Sequence, residues 1–562
     1  MSATATATGR DAAPAGPPHP GTLRQPGAIE ADAESADELL EAMGYKAELT
    51  RTRSTWQVAF MSFVLASIPY GLATTLYYPL QGGGPVVVIW GWVLVSMIIL
   101  CVAASLGEIT SVFPTAGGVY YQTFMLAPTK WRRLAAYVCG WLYVVGNVTI
   151  TLAVNFGTTL FYVACVNVFE KEDGSPVWEA ETYQIFFTFL AVTLLCNAIS
   201  VFGNRWLPLL DTFAIFWTFV GILAIMITVL VVAKEGRHTA AYTFGHFEPT
   251  SGWPDGWSFC VGLLHAGYAT SSTGMIISMC EEVEHPATQV PKAMVITILI
   301  NTFGGLLFLV PLMVVLPNLE DVVGLLSGQP VPYIIKHAVG SSGGAIALLL
   351  PLMVLAILCG TACTTATSRC TWAFARDGAI PGSKWWKKVH PTLDIPLNAM
   401  MLAMVVEVLL GLIYFGSTAA FNAFSGVGVI ALTLSYAAPI AVSMLEGRKH
   451  VKEGRFYLGK YGWAINTVAV GKNYPQTFPH FAFVIANGCC CCCYRLVAFC
   501  PPSILHARLR PDPGGVHQLG VCRFHRFHCH CCRLVCRLGP QELRRATDGG
   551  TPGRWRGCPF AG

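Results

Sequence analysis

Long apolar runs separated by short polar stretches dominate the chain from about residue 56 to residue 444. A helix needs roughly 17–25 apolar residues to cross a bilayer. Ten runs of that kind precede residue 445: 56–79, 85–107, 134–166, 182–203, 207–233, 256–280, 293–316, 343–375, 395–415 and 418–444. An eleventh begins near Trp463. The pattern predicts an all-α polytopic membrane protein with a ten-helix core over 56–444, a loop and the start of an eleventh helix over 445–470. Residues 1–55 are polar and rich in Ala, Pro, Gly and Glu, which reads as a disordered tail without an apolar leader core. Within it, Asp37 to Lys46 has the pattern of a short amphipathic helix.

Two runs are interrupted. The first contains Ser67-Ile68-Pro69-Tyr70-Gly71, where proline removes a donor and glycine permits irregular backbone. The sixth contains Ala269-Thr270-Ser271-Ser272-Thr273-Gly274, a weak helix former. Broken helices within a membrane are tolerated where they line a polar cavity, and transporters bind solutes at such breaks. A proline kink and a small-residue packing face are the simpler readings of the same residues. The first and sixth runs hold the same place in two halves of five, as an inverted repeat requires.

Composition sharpens the class. Of 562 residues, 54% are hydrophobic and 12% charged, against about 25% charged in soluble domains. Mean hydropathy is +0.54. An ordinary soluble enzyme is excluded, and a net charge of +5 is too small to argue for nucleic acid. With the N-terminus in the cytoplasm, the loops facing that side hold fourteen Lys or Arg; the opposite loops hold only Lys171, Lys234, Arg237 and Lys336. Gly82-Gly83-Gly84 precedes a proline rather than Lys-Ser/Thr, so it is no phosphate-binding loop and ATP-driven transport is not expected. No metal or cofactor is expected.

Ionisable residues in or beside the runs are candidates for gating or coupling. Glu108 ends the second run. Glu281 and Glu282 close the sixth, to pair with Lys292 or Arg369 as a gate or to be solvated. Glu407 lies inside the ninth run, with a functional role or a neighbouring hydroxyl as its alternatives. His265 and Asp211 stay undecided between structural and proton-linked roles.

Five segments in register resemble fungal members of the amino acid–polyamine–organocation superfamily, in the amino acid/choline transporter branch that includes γ-aminobutyrate permeases. They are Leu40 to Leu49; Gly83-Gly84-Pro85 with Trp90-Gly91-Trp92; Leu106 to Tyr121; Glu281-Glu282 with Pro286, Pro291 and Lys292; and Ser368-Arg369 through Trp372 to Pro381. The resemblance covers about 36–470. It implies a LeuT-type 5+5 inverted repeat, usually of twelve helices. It implies a small amino-containing solute held at Ser67 to Gly71 and Ala269 to Gly274, and uptake coupled to protons. Relatives often carry an acid in the sixth break where this chain has Gly274, which tilts the expectation toward a zwitterionic amino acid. A choline, polyamine or alkaloid carrier is the alternative, and a non-transporting nutrient receptor the alternative of another class. A multi-pass place in the plasma membrane follows from the family.

The chain has 21 cysteines, twelve of them beyond residue 488 and five in a row at 489–493. That tail lacks the spaced pairs of a structural zinc site. Gln541 to Gly550 can be encoded so that the next frame reads Lys-Asn-Tyr-Asp-Gly-Pro-Pro-Met-Glu, similar to the polar end of the family. Gly471-Lys472 can contain a GTAAG splice donor. Residues 471–562 are therefore expected to come from a retained intron or a shifted frame, leaving about eleven apparent spans and the twelfth lost.

Overall fold

Pro69 has no N–H to give the carbonyl of Leu65, and its ring crowds that carbonyl. The first helix accordingly stops at Ala66, turns at Ser67 (φ 40°, ψ 51°, left-handed), and resumes at Ile68. The two halves of this first span are Thr55–Ala66 and Ile68–Thr75. The computed structural model describes residues 36–471, apart from 47, 52, 172–175, 234–236, 326–327 and 417. The tail expected to be frame-shifted lies outside the described residues but for Gly471, as do residues 1–35.

Nine helices among the described residues are long and apolar enough to cross a membrane. After the first come Pro85–Val112, Arg132–Val166, Thr182–Phe202, Leu207–Val232, Pro286–Val314, Ser342–Arg376, Leu397–Gly411 and Thr418–Leu445, the second to fifth and seventh to tenth spans. The sixth is absent from that count because it is broken into Asp255–Gly262, Leu264–Thr270 and a 3-10 helix, Ser271–Glu282. Its hydroxyls explain the change of helix type. Ser271 donates to the Tyr268 carbonyl at 2.8 Å, Thr273 to Thr270 at 2.7 Å and Ser278 to Met275 at 2.7 Å. Such short back-bonds compete for the carbonyls an α-helix needs. Of the eleventh span, Gly462–Val470 is described. The expected loss of the twelfth falls on residues outside the described ones.

The first and sixth spans lie side by side. Most of the first span's apolar window is buried (89%), and little of the fifth's (28%). The fifth turns Phe216, Phe219, Val220 and Val231 outward, a face suited to lipid tails.

The segment before the first span corrects the sequence reading. The short helix expected within Asp37 to Lys46 is present as Ala36–Ala42; what departs from the expected disordered tail is that the stretch after it is clamped to the end of the sixth span. Arg53 N–H donates to the Glu282 carbonyl and Glu284 N–H to the Arg53 carbonyl, both at 3.2 Å. Arg53 is 1% exposed. A polar composition predicts disorder only when no distant partner holds the polar groups, and those partners are invisible in the local sequence.

Candidate substrate site and its gate

Pro69 frees the Leu65 carbonyl, and the sixth span supplies its new donor: Ser272 Oγ, at 2.8 Å. The Cys359 thiol of the eighth span also reaches it, at 3.8 Å. The freed carbonyls of the sixth span are met from two other sides. Tyr436 of the tenth span donates to the Ser271 carbonyl at 3.0 Å, and Tyr143 of the third span to the Gly274 carbonyl at 3.3 Å. Each break is thus satisfied by residues of another helix, as buried backbone demands.

Between the breaks lies a cavity bounded by Ala66, Tyr70, Gly71, Tyr268, Ala269, Ser271, Ser272, Ile150, Val154 and Cys359, with Leu65. Its free volume is about 10 Å3, room for about one water. A second cavity of similar size lies behind Thr270, Ser271, Thr273 and Gly274, against the second and tenth spans. No carboxylate, lysine or arginine lines either one.

Of the residues singled out in the sequence, Tyr70, Gly71, Ala269, Ser271 and Ser272 line the first cavity, and Thr270, Ser271, Thr273 and Gly274 the second. Ser67, Ile68 and Pro69 line neither. Ser67 makes the turn, its hydroxyl donating to the Val64 carbonyl at 2.7 Å, and Ile68 packs in an apolar cluster. Gly274 is held small by packing: a Cβ there would sit 2.5 Å from the Tyr436 ring. The sequence reading did not choose Tyr268, Ile150, Val154 or Cys359. Their apolar settings resemble ordinary packing, and only the fold brings them to the breaks.

The end of the bundle that carries the N-terminal segment is closed by buried ion pairs. Glu282 meets Arg369 Nε at 2.7 Å and Arg53 Nε at 3.5 Å, and Arg53 also meets Asp211 at 3.0 Å. Arg369 donates further to Ser368 Oγ and Asn204 Oδ1. Glu281 takes both terminal nitrogens of Arg376 at 2.9 Å and the Ala116 N–H at 3.0 Å. The Arg376 guanidinium lies over the rings of Tyr45 and Trp372. Next to it Asp377 accepts from Tyr45 and Tyr120. Burial pushes the Asp377 carboxyl above the usual carboxylate range, while Arg376 and the two hydroxyls oppose that rise.

Of the alternatives for Glu281 and Glu282, pairing holds and Arg369 is the partner of Glu282; Lys292 is exposed. Glu108 stands apart from this network, accepting from Arg448 and from the Leu458 N–H, so it fastens the second span to the loop after the tenth. The sequence reading missed Arg53, Arg376 and Arg448, because a loop arginine carries no local mark of a buried carboxylate partner.

The comparisons agree with this architecture. A family model described as amino acid permease matches residues 54–507, so the relationship continues past residue 470, where the motif reading has it stop. A choline transporter of Saccharomyces cerevisiae is 29% identical over 424 residues, 75% of this chain and 74% of the relative. The GABA-specific permease of the same yeast is 29% identical over 429 residues, again 75% and 74%. An amino-acid permease BAT1 homolog of Oryza sativa subsp. japonica is 31% identical over 441 residues, 77% and 84%. With its all-helical multi-span fold and paired broken helices, the chain belongs to the amino acid permease family and is a membrane transporter of that type.

Proposed function

We propose that this permease is a secondary active transporter that carries a small zwitterionic amino acid, γ-aminobutyrate being the first candidate, and couples it to protons. The solute binds between the first and sixth breaks, and alternating access comes from the movement of these broken helices against the other spans. The carrying observation is the Ser272–Leu65 bond at 2.8 Å, which ties one break to the other at the wall of a cavity lined by hydroxyls, backbone and two tyrosines. Entry of a solute must open this contact, and the backbone dipoles at the break can bind an amine and a carboxylate together. The ion pairs of Glu281, Glu282, Arg53 and Arg369 then act as the cytoplasmic gate, with the protein in the plasma membrane and its N-terminus inside.

A second reading is favoured by one observation. Tyr70 and Tyr268 both border the cavity, and aromatic faces suit a quaternary ammonium such as choline. Uptake of labelled γ-aminobutyrate, choline and putrescine by a permease-deficient yeast, at two pH values and with a protonophore, separates the readings. γ-Aminobutyrate uptake that rises at acid pH and collapses with the protonophore is expected. Uptake of choline alone overturns the substrate, and indifference to pH and protonophore overturns the coupling.

A further inference from the structure

Six acidic side chains among the described residues are buried: Glu108, Asp211, Glu281, Glu282, Asp377 and Glu407. The first four are paired with arginines, and Asp377 accepts from two tyrosines. Glu407 differs. It is 1% exposed in the middle of the ninth span, no arginine, lysine or histidine pairs with it, and its Oε2 has no hydrogen-bond partner.

Its surroundings are polar in the same unsatisfied way. Asn155 of the third span is fully buried with both Oδ1 and Nδ2 unpaired, and Thr193 Oγ1 and Asn197 Oδ1 of the fourth span are unpaired as well. These groups fall within about two turns of one another along the packed spans. Gly411 abuts the Phe189 ring, and the fourth and ninth spans run in opposite directions. One turn inward therefore sets Glu407 level with Thr193, and Asn197 and Cys196 lie about one turn further. Asn155 Oδ1 and Cys196 Sγ both crowd the same face of Gly360 in the eighth span, at 2.6 and 2.8 Å from where its Cβ would be. Phe156, Phe189 and Tyr414 cap this region on the other side, with ring centroids 4.7–5.6 Å apart. The titratable groups that interact with Glu407 are the thiols of Cys196 from the fourth span and Cys363 from the eighth.

We propose that Glu407 takes up and returns the coupled proton, in a region where Asn155, Thr193 and Asn197 also hold unpaired polar groups. The proposal rests on the proton-coupled reading above. Burying an unpaired charge is far costlier than burying a neutral carboxyl. None of these groups is bonded to Glu407 in this conformation; after a side-chain movement their oxygens offer acceptors to the protonated O–H, and the Asn155 amide and Thr193 hydroxyl offer donors to the carboxylate. The region also borders the solute cavity. Val154, next to Asn155, gives its carbonyl to Tyr70 at 2.9 Å, Thr158 touches the same hydroxyl at 2.7 Å, and Cys359, one turn from Cys363, lines the cavity. Movement of the third and eighth spans as the solute binds must therefore change the environment of Glu407.

Proteoliposomes containing the full chain and labelled γ-aminobutyrate test this. With one proton per cycle, a one-unit pH difference supports about ten-fold accumulation. Glu407→Gln should abolish that accumulation and its pH dependence, while solute exchange, which moves no net proton, persists. Full proton-driven accumulation by Glu407→Gln overturns the proposal, as does loss of coupling in His265→Gln with coupling kept in Glu407→Gln. Should Glu407→Gln fail to assemble, Glu407→Asp decides: the shorter carboxyl must move the pH midpoint of uptake, and an unmoved midpoint overturns the assignment. Wild-type uptake indifferent to pH and protonophore overturns the coupled reading itself, and is seen before any variant is compared.

Discussion

Gly274 shows how one position can be read at two levels. In the sequence it is the place where the family resemblance leads one to expect an acid. In the structure it is a contact: its carbonyl accepts from Tyr143, and its missing Cβ leaves room for the Tyr436 ring. Gly274→Ala should therefore push Tyr436 away from the Ser271 carbonyl at an overpacking cost of about 1–3 kcal/mol. Uptake is expected to fall while the protein still reaches the membrane. Gly267→Ala in the same span is the control, since its Cβ would meet only Val429, at 3.8 Å. Equal losses in the two variants would remove Gly274 from the site. Ser272 was legible as a hydroxyl in a weak helix; that it answers the carbonyl freed by Pro69 was not, because the two lie some two hundred residues apart.

At the scale of elements, the buried ion pairs of the proposed gate join four parts of the chain: the N-terminal segment through Arg53, the fifth span through Asp211, the sixth through Glu282 and the eighth through Arg369. Breaking a buried pair leaves a charge without compensation, at about 3–5 kcal/mol. Arg53→Ala should strand Asp211, loosen the clamp at Glu282 and Glu284, and expose Cys280, which is now fully buried. Peptide-resolved labelling with a membrane-impermeant thiol reagent should find Cys280 protected in the wild type and reactive in the variant. Adding Asp211→Asn should restore part of the protection by removing the stranded charge. Unchanged protection in Arg53→Ala would mean that the N-terminal segment does not hold the gate. Arg369 is no simple charge either: its Nε, Nη1 and Nη2 reach three different partners, which lysine cannot reproduce.

At the scale of the whole molecule, the tail remains the part that composition sets apart. Because the family match runs to residue 507, cDNA is to be sequenced from codon 471 onward; an intron or a change of frame there and a spliced frame ending in a hydrophobic twelfth helix are expected, and a transcript that keeps the present frame without an intron rules this out. The apolar runs by themselves determined the class, the number of core spans and the places of both breaks. Run length against bilayer thickness, and proline and glycine against helix geometry, are local matters. The five segments in register determined the family. What only the tertiary structure decided is which groups meet: Ser272 with Leu65, Glu282 with Arg369 and Arg53, and Glu407 with no cation among the described residues. The physical reason is distance along the chain. A buried polar group is satisfied by whatever side chain the packing brings to it, and no local pattern of hydrophobic and polar residues encodes that partner.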